Sequence, residues 1–191
     1  KAFRSKSSKK ATIEAADKPY CFAEVRHFET DFILIPSHSS ENRKYIPIGF
    51  QRRGTITTNS AQAIYDAEPW IFSMLNSRTH MIWVKTVCGS LETRIRYSSS
   101  LGYNTFPFPQ ITDKQKEELT LCTFRILEER EKYSEKTLAQ LYDPDKMPEG
   151  LREAHRLNDL AVERCYRSKP FESVEERLEY LFKLYEKMIE E

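Results

Sequence analysis

Residues 88–98 read "CGSLETRIRYS", with an acid and two arginines at alternate positions. In an extended chain successive side chains point to opposite faces. Glu92, Arg94, Arg96 and Ser98 would then share one face, and Leu91, Thr93, Ile95 and Tyr97 the other. Neighbours on the shared face lie about 6.6 Å apart, which suits a polymer that repeats along its length. A guanidinium is a planar fork of donors that matches the two adjacent major-groove acceptors of guanine, and a carboxylate accepts from the amino group of cytosine. Glu92, Arg94 and Arg96 therefore have the chemical types needed to read bases. The same pattern also suits a solvated sheet face, or a ladder in which Glu92 offsets Arg94 across a diagonal for about 0.2–1 kcal/mol. Residue types alone leave these readings open.

Catalytic constellations are missing. With five glycines the chain contains neither GxxxxGK[ST] nor GxGxxG, so no nucleotide cradle is visible. No lysine has Asp or Glu two residues before it, which removes the usual acid-lysine pair of metal-dependent nucleases. GxSxG and HExxH are absent too. His80, ahead of the apolar "MIWV", reads as a packed or capping histidine rather than a base. Cys21, Cys88, Cys122 and Cys165 are scattered without CxxC spacing and are expected to be reduced structural thiols, with no metal site.

The elements that must position the charged tips follow from patterning. A chain of 191 residues with 39% hydrophobic residues can bury a core. Its longest apolar runs, Phe32 to Ile35 and Met81 to Val84, are too short to span a bilayer, and no basic-then-apolar leader opens it. The expectation is a soluble, cytoplasmic chain without a membrane partner. It starts without an initiator Met and so reads as a fragment. Net charge is +1, but residues 1–110 carry 15 Lys+Arg against 9 Asp+Glu, a balance of +6, and residues 111–191 carry 15 against 20, a balance of −5.

"KAFRSKSSKK" reads as an exposed basic arm. Short β-rich runs follow: "CFAEVRHF", "DFILIP", "YIPIGF", "GTITTN", and later "HMIWVKTVC" and "LETRIRYS". A helical interruption is expected over residues 60–75, broken by Pro69. Beyond "YNTFPFPQIT" the period changes. Thr112 with Gln115 forms a capping box opening a helix through about Leu141, a second helix puts Leu151, Ala154, Asn158, Ala161, Val162 and Cys165 on one face, and Ser173 with Glu176 opens a third. The stripe of that third helix, Val174, Leu178, Leu181, Phe182, Tyr185, Met188 and Ile189, reads as core. The fold class is α+β: a mixed β-sheet domain over residues 1–110, then a small three-helix bundle over residues 111–191.

Four stretches carry a resemblance: "IPSHSSENRKYIPIGF" (35–50), "IYDAEPWIFSMLNSRTHMIWVKTVCGSLETRIRYS" (64–98), "YNTFPFP" (103–109) and "LYDPDKMPEGLREAHRLND" (141–159). In this order they resemble the C-terminal part of the MmeI-like, or type IIL, restriction-modification enzymes and related adenine-specific DNA methyltransferases. The resemblance implies a target recognition domain followed by a helical C-terminal domain, with double-stranded DNA and an upstream methyltransferase domain of the same polypeptide as partners. The family's methyltransferase signature, Asn or Asp followed by Pro-Pro and an aromatic, is absent: Asn104 is followed by Thr, and Pro-Pro occurs nowhere. No cofactor is then expected in this chain, and S-adenosylmethionine would belong to the catalytic domain. The resemblance also implies base contacts from Glu92, Arg94 and Arg96. It makes "SSENRKY" a DNA-facing loop, in which Ser39, Ser40, Asn42, Arg43 and Lys44 would meet the phosphate backbone, although the loop also reads as an ordinary turn. Asn59, Arg78 and His80 are further DNA candidates, while Gln51, Arg52 and Arg53 read equally as a solvated turn. The rival reading is a protein-interaction or scaffold module whose basic half docks on an acidic partner.

Overall fold

A computed structural model describes residues 1–18, 20–21 and 26–190. The helices are α1 (Ala2–Ser5), α2 (Lys10–Glu14), α3 (Pro69–Leu75), α4 (Arg78–Val87), α5 (Asp113–Glu131), α6 (Leu138–Leu141), α7 (Glu149–Tyr166) and α8 (Val174–Glu190). The strands are β1 (Phe32–Pro36), β2 (His38–Ser39), β3 (Gly49–Gln51), β4 (Ala61–Tyr65), β5 (Ser90–Leu91) and β6 (Arg94–Arg96). The chain is α+β as expected. In place of one mixed sheet, the described strands form two three-stranded sheets, ordered β3-β1-β4 and β2-β6-β5, with every pairing antiparallel. The run "CFAEVRHF" falls largely on residues 22–25, outside the described residues. "GTITTN" forms no strand and has turns only at its two ends, and the basic opening run folds into the short helices α1 and α2 while staying largely exposed.

β1 is apolar without interruption because Ile33 sits between two partners, opposite Phe50 on one side and Ile64 on the other. The backbone leaves this sheet at Pro36 and enters the second at His38. Ser37 between them donates its N–H to the Ser60 carbonyl (2.9 Å) and accepts from the N–H of Tyr97 (2.9 Å). The two sheets are thus joined through a single residue.

Two expected elements change type. Residues 61–65 form β4 rather than a helical piece, and Pro69 sits in the first turn of α3, where its missing N–H would have had no partner anyway. "HMIWVKTVC" is helix α4 rather than a strand. Its Ser77 hydroxyl accepts from the N–H of His80 (3.1 Å) and donates to the Met74 carbonyl (2.6 Å), which caps α4 and stops α3. Met81, Ile82, Trp83 and Val84 are all buried while Arg78, Lys85 and Thr86 are exposed, and this run of four consecutive apolar residues masks the helical period in the sequence.

The capping box of Thr112 and Gln115 is present, and α5 runs to Glu131 rather than to Leu141. A second box, Thr137 with Gln140, opens α6 separately. α5 lies along α7 and also on α3, and α8 lies against α4. Of the stripe read on α8, Leu181 is fully buried and Phe182 and Tyr185 meet the Trp83 ring at 5.1 and 5.7 Å, but Met188 and Ile189 are exposed. α8 has 17 residues and α4 has 10, so the last turns of α8 run past the helix that would cover them.

One hydrophobic cluster joins Ile33, Ile35, Ile95 and Tyr97 to Ile126, Tyr142, Leu151 and Ala154, so the sheets and the C-terminal helices share a core. A buried polar network crosses the same boundary. Tyr45, just after the 38–44 loop, stacks on His155 of α7 (ring centroids 4.0 Å apart) and donates its hydroxyl to Asp159 Oδ2 (2.7 Å). Asp159 Oδ1 accepts the backbone N–H of Arg78 (2.7 Å) at the start of α4. Arg130 of α5 donates to the Ile48 carbonyl (2.8 Å) and to the Tyr142 hydroxyl (2.9 Å), which in turn meets His155 Nε2 (2.7 Å). Arg177 closes on Glu163 at 2.7 Å with both side chains buried.

Burial pushes the Asp159 carboxyl up to about 6 from 3.8, outweighing the donors at both of its oxygens. The folded state then keeps a proton that the unfolded chain has released, so stability falls as the pH rises from about 4 to about 6 and the loss persists above that. Asp159→Asn removes this slope. In thermal unfolding between pH 4 and 7.5, the variant should gain on the wild type, by on the order of 1–3 kcal/mol, across that window and stay level beyond it.

Candidate nucleic-acid interface

The charged stretch is a hairpin rather than one continuous strand. Leu91 pairs with Arg94 and Ser90 with Ile95, leaving Glu92 and Thr93 as a two-residue turn. Glu92 therefore projects from the tip of the ribbon, not from a row with the arginines. Its φ of 55° is left-handed, which fits the twist a tight hairpin requires but is unfavourable for a residue with a Cβ. The alternation holds from Arg94 onward: Arg94 and Arg96 are exposed, and Ile95 and Tyr97 are buried. β6 is the middle strand of its sheet, so its backbone is held from both sides. Neither Arg94 nor Arg96 makes a side-chain hydrogen bond or ion pair among the described residues, and Glu92 is not paired with Arg94. The alternative reading, a diagonal ladder, is therefore not formed, and neither guanidinium fork is hydrogen-bonded to protein among the described residues.

The fold brings the "SSENRKY" loop to this hairpin. His38 lies opposite Arg96, and Ser39 opposite Ile95. The Ser40 hydroxyl accepts the N–H of Asn42 (3.3 Å), and its carbonyl accepts that of Arg43 (3.2 Å), which makes the loop a turn. Asn42 and Lys44 are exposed and Ser40 is half-buried. Arg43 is engaged with protein instead, donating to the Ser39 hydroxyl (3.4 Å) and to the Ala139 carbonyl of α6 (3.4 Å).

Two of the expected DNA contacts are buried. Ser39 is 5% exposed with its hydroxyl beneath Arg43, and His80 is wholly buried, its Nε2 3.2 Å from the Tyr97 hydroxyl and its ring edge-on to Phe106. Both support the face from inside. Burial pushes the His80 imidazole down to about 3, so it is neutral at physiological pH, in keeping with a packed histidine. Arg78 is half-exposed, with its fork against Asp159 (3.8 Å) and Glu163 (3.4 Å). Asn59 is exposed and lies apart, on an open groove of about 710 Å³ along β4 that Arg26, His27, Thr57, Gln62 and Tyr65 help to line.

Three residues of the face were not singled out from sequence. His38 is exposed beside Arg96. Exposed Lys85, in the last turn of α4, donates to the Glu41 carbonyl (3.0 Å) and was obscured by reading α4 as a strand. The Glu41 carboxyl is held below its usual range by a backbone hydrogen bond, the Thr93 hydroxyl and the charges of Arg94 and Lys85, so the loop and the hairpin tip adjoin. The only available signal for His38 was the polar-apolar alternation of "IPSHS". Among the described residues, no three His, Cys, Asp or Glu side chains come together as metal ligands, and no helix is long and apolar enough to cross a membrane.

β6 thus presents Arg94 and Arg96 to solvent beside a polar turn, on a sheet that shares a core with the C-terminal helices. Comparison with known proteins gives the family. Residues 1–110 match the target recognition domain of MmeI and residues 111–191 match the MmeI C-terminal domain, and the chain belongs to this family. Its relatives include DNA methyltransferase A of Bacillus subtilis (strain 168), 47% identical over 190 residues, which cover 100% of this chain and 22% of that protein. A solved structure of the type IIL restriction-modification enzyme MmeI in complex with DNA superposes with a TM-score of 0.94 at 44% identity, over 100% of this chain and 25% of that one. The chain thus spans about a quarter of the length of these relatives.

The left-handed turn gives a direct test of the hairpin. Glu92→Gly, which adopts that φ without penalty, should match or exceed the wild type in melting temperature, whereas Glu92→Val should be less stable by about 1 kcal/mol or more.

Proposed function

We propose that this chain selects the DNA sequence at which an adenine-specific methyltransferase acts, the methyl transfer being performed by a catalytic domain outside these residues. The observation that carries this is the pair of exposed guanidinium groups on β6, neither hydrogen-bonded to protein among the described residues and both fixed outward by the burial of Ile95 and Tyr97. In this reading Arg94, Arg96 and Glu92 meet base edges in the major groove. Ser40, Asn42 and Lys44 meet phosphates and set the register, and Asn59 approaches the duplex from the β4 side. Arg43, Arg78, Ser39 and His80 hold the loop and hairpin in place. The +6 balance of residues 1–110 favours approach to a polyanion.

The reaction class implies S-adenosylmethionine as methyl donor. The groove along β4 does not fit it: among the described residues its lining includes no carboxylate to hold a ribose diol, and the chain has no glycine-rich turn for close backbone approach. The cofactor is therefore assigned to the catalytic domain, and the target adenine would be turned out of the duplex there. A cytoplasmic location, where a methyltransferase meets the chromosome, belongs to the same proposal.

In the intact polypeptide, Arg94→Ala should cost roughly 1–3 kcal/mol at one base position and relax the methylated sequence there, as read by mapping methylated adenines. An unchanged site at every position sinks the base-reading role. Lys44→Ala should weaken binding to all duplexes alike and lower the slope of log K against log salt by about 1, measured by titration at several salt concentrations.

A further inference from the structure

The face that presents Arg94 also presents an apolar side chain that hydrogen-bonded reading leaves unused. Leu91 is the cross-strand partner of Arg94. Residues directly opposite in an antiparallel pair project from the same face, with Cβ atoms roughly 4.5–5.5 Å apart. Leu91 is 50% exposed and belongs to neither hydrophobic cluster, although one turn residue away the hairpin offers only polar groups. The rest of the exposed face is cationic or polar: Arg94 and Arg96 on β6, and His38 on β2.

In the major groove, thymine is the one standard base that displays a methyl group, and aliphatic side chains contact it. Bases of one strand are spaced by roughly 3.4 Å. A side chain roughly 5 Å from the root of Arg94 therefore falls on the base step beside the one that Arg94 reads. We propose that Leu91 is a specificity-determining residue that recognises the 5-methyl group of a pyrimidine adjoining the base contacted by Arg94. This rests on the reading of Arg94 as a base contact. The pyrimidine is thymine or 5-methylcytosine, which carry the same methyl at the same place.

The test uses the intact methyltransferase and duplexes containing its mapped site. Each thymine is replaced in turn by uracil, which lacks only the methyl, and each cytosine by 5-methylcytosine. The wild type should lose roughly three- to tenfold in kcat/KM at one uracil position, the size expected for one methyl group removed from water, or gain as much at one 5-methylcytosine position. The first outcome identifies thymine as the partner and the second 5-methylcytosine. That position should adjoin the one relaxed by Arg94→Ala. Leu91→Ala should bring the ratio of methylated to unmethylated substrate to about one there, and Leu91→Met, which keeps an apolar reach, should retain it. The ratio is taken within each variant, so a general loss of activity cancels. A wild type indifferent to every replacement, or a ratio unchanged in Leu91→Ala, overturns the assignment of Leu91. Failure of Arg94→Ala to relax any position overturns the underlying reading instead.

Discussion

The interface depends on the burial of two side chains, Ile95 and Tyr97. Because side chains alternate along a strand, seating these two in the core leaves Arg94 and Arg96 no direction but outward. A register slip of one residue would bury both guanidinium groups without partners and expose the apolar pair, at a cost far above any sheet propensity. Tyr97 adds direction to this anchoring: its N–H is held by Ser37 and its hydroxyl lies against His80. Full burial of His80 keeps that imidazole neutral, so the support beneath the arginines does not change charge across physiological pH.

The helical half braces the loop beside the hairpin. Arg43 reaches the Ala139 carbonyl, Tyr45 is stacked on His155 and bonded to Asp159, and Arg130 holds the Ile48 carbonyl. A polar turn such as residues 40–43 has little apolar area with which to order itself, and these contacts from α5, α6 and α7 supply the missing constraints. The opposite charge balances of the two halves of the sequence therefore coexist with a hydrophobic cluster that draws on both.

Much of this architecture was legible in the sequence where a local physical signal was strong. Thr112 with Gln115 marked the start of α5 because both side chains answer backbone groups a few residues away. The alternation of Arg94, Ile95, Arg96 and Tyr97 likewise gave the exposed and buried faces correctly. α4 was misread because its four consecutive apolar residues, "MIWV", have the composition of a buried strand and hide the helical period. Its one local sign was the cap at Ser77. Glu92 was misplaced for a different reason: the usual hairpin signal is Gly or Asn at the left-handed position, and a glutamate there hides the turn. Arg43 has the right residue type for a phosphate contact, yet its partner Ala139 lies 96 residues away, a pairing that no local pattern encodes.

The single residue Ser37, as the link between the sheets, has a mechanical consequence. A protein that follows a helical groove must present its reading ribbon at one pitch, and a flexible joint between supporting sheet and ribbon would let that pitch wander. Ser37 is bonded to Ser60 on one side and Tyr97 on the other, so bending there would break a bond on each side at once. A hinge between the two sheets at this residue would therefore have to give up backbone bonds to β4's approach and to the hairpin's exit together.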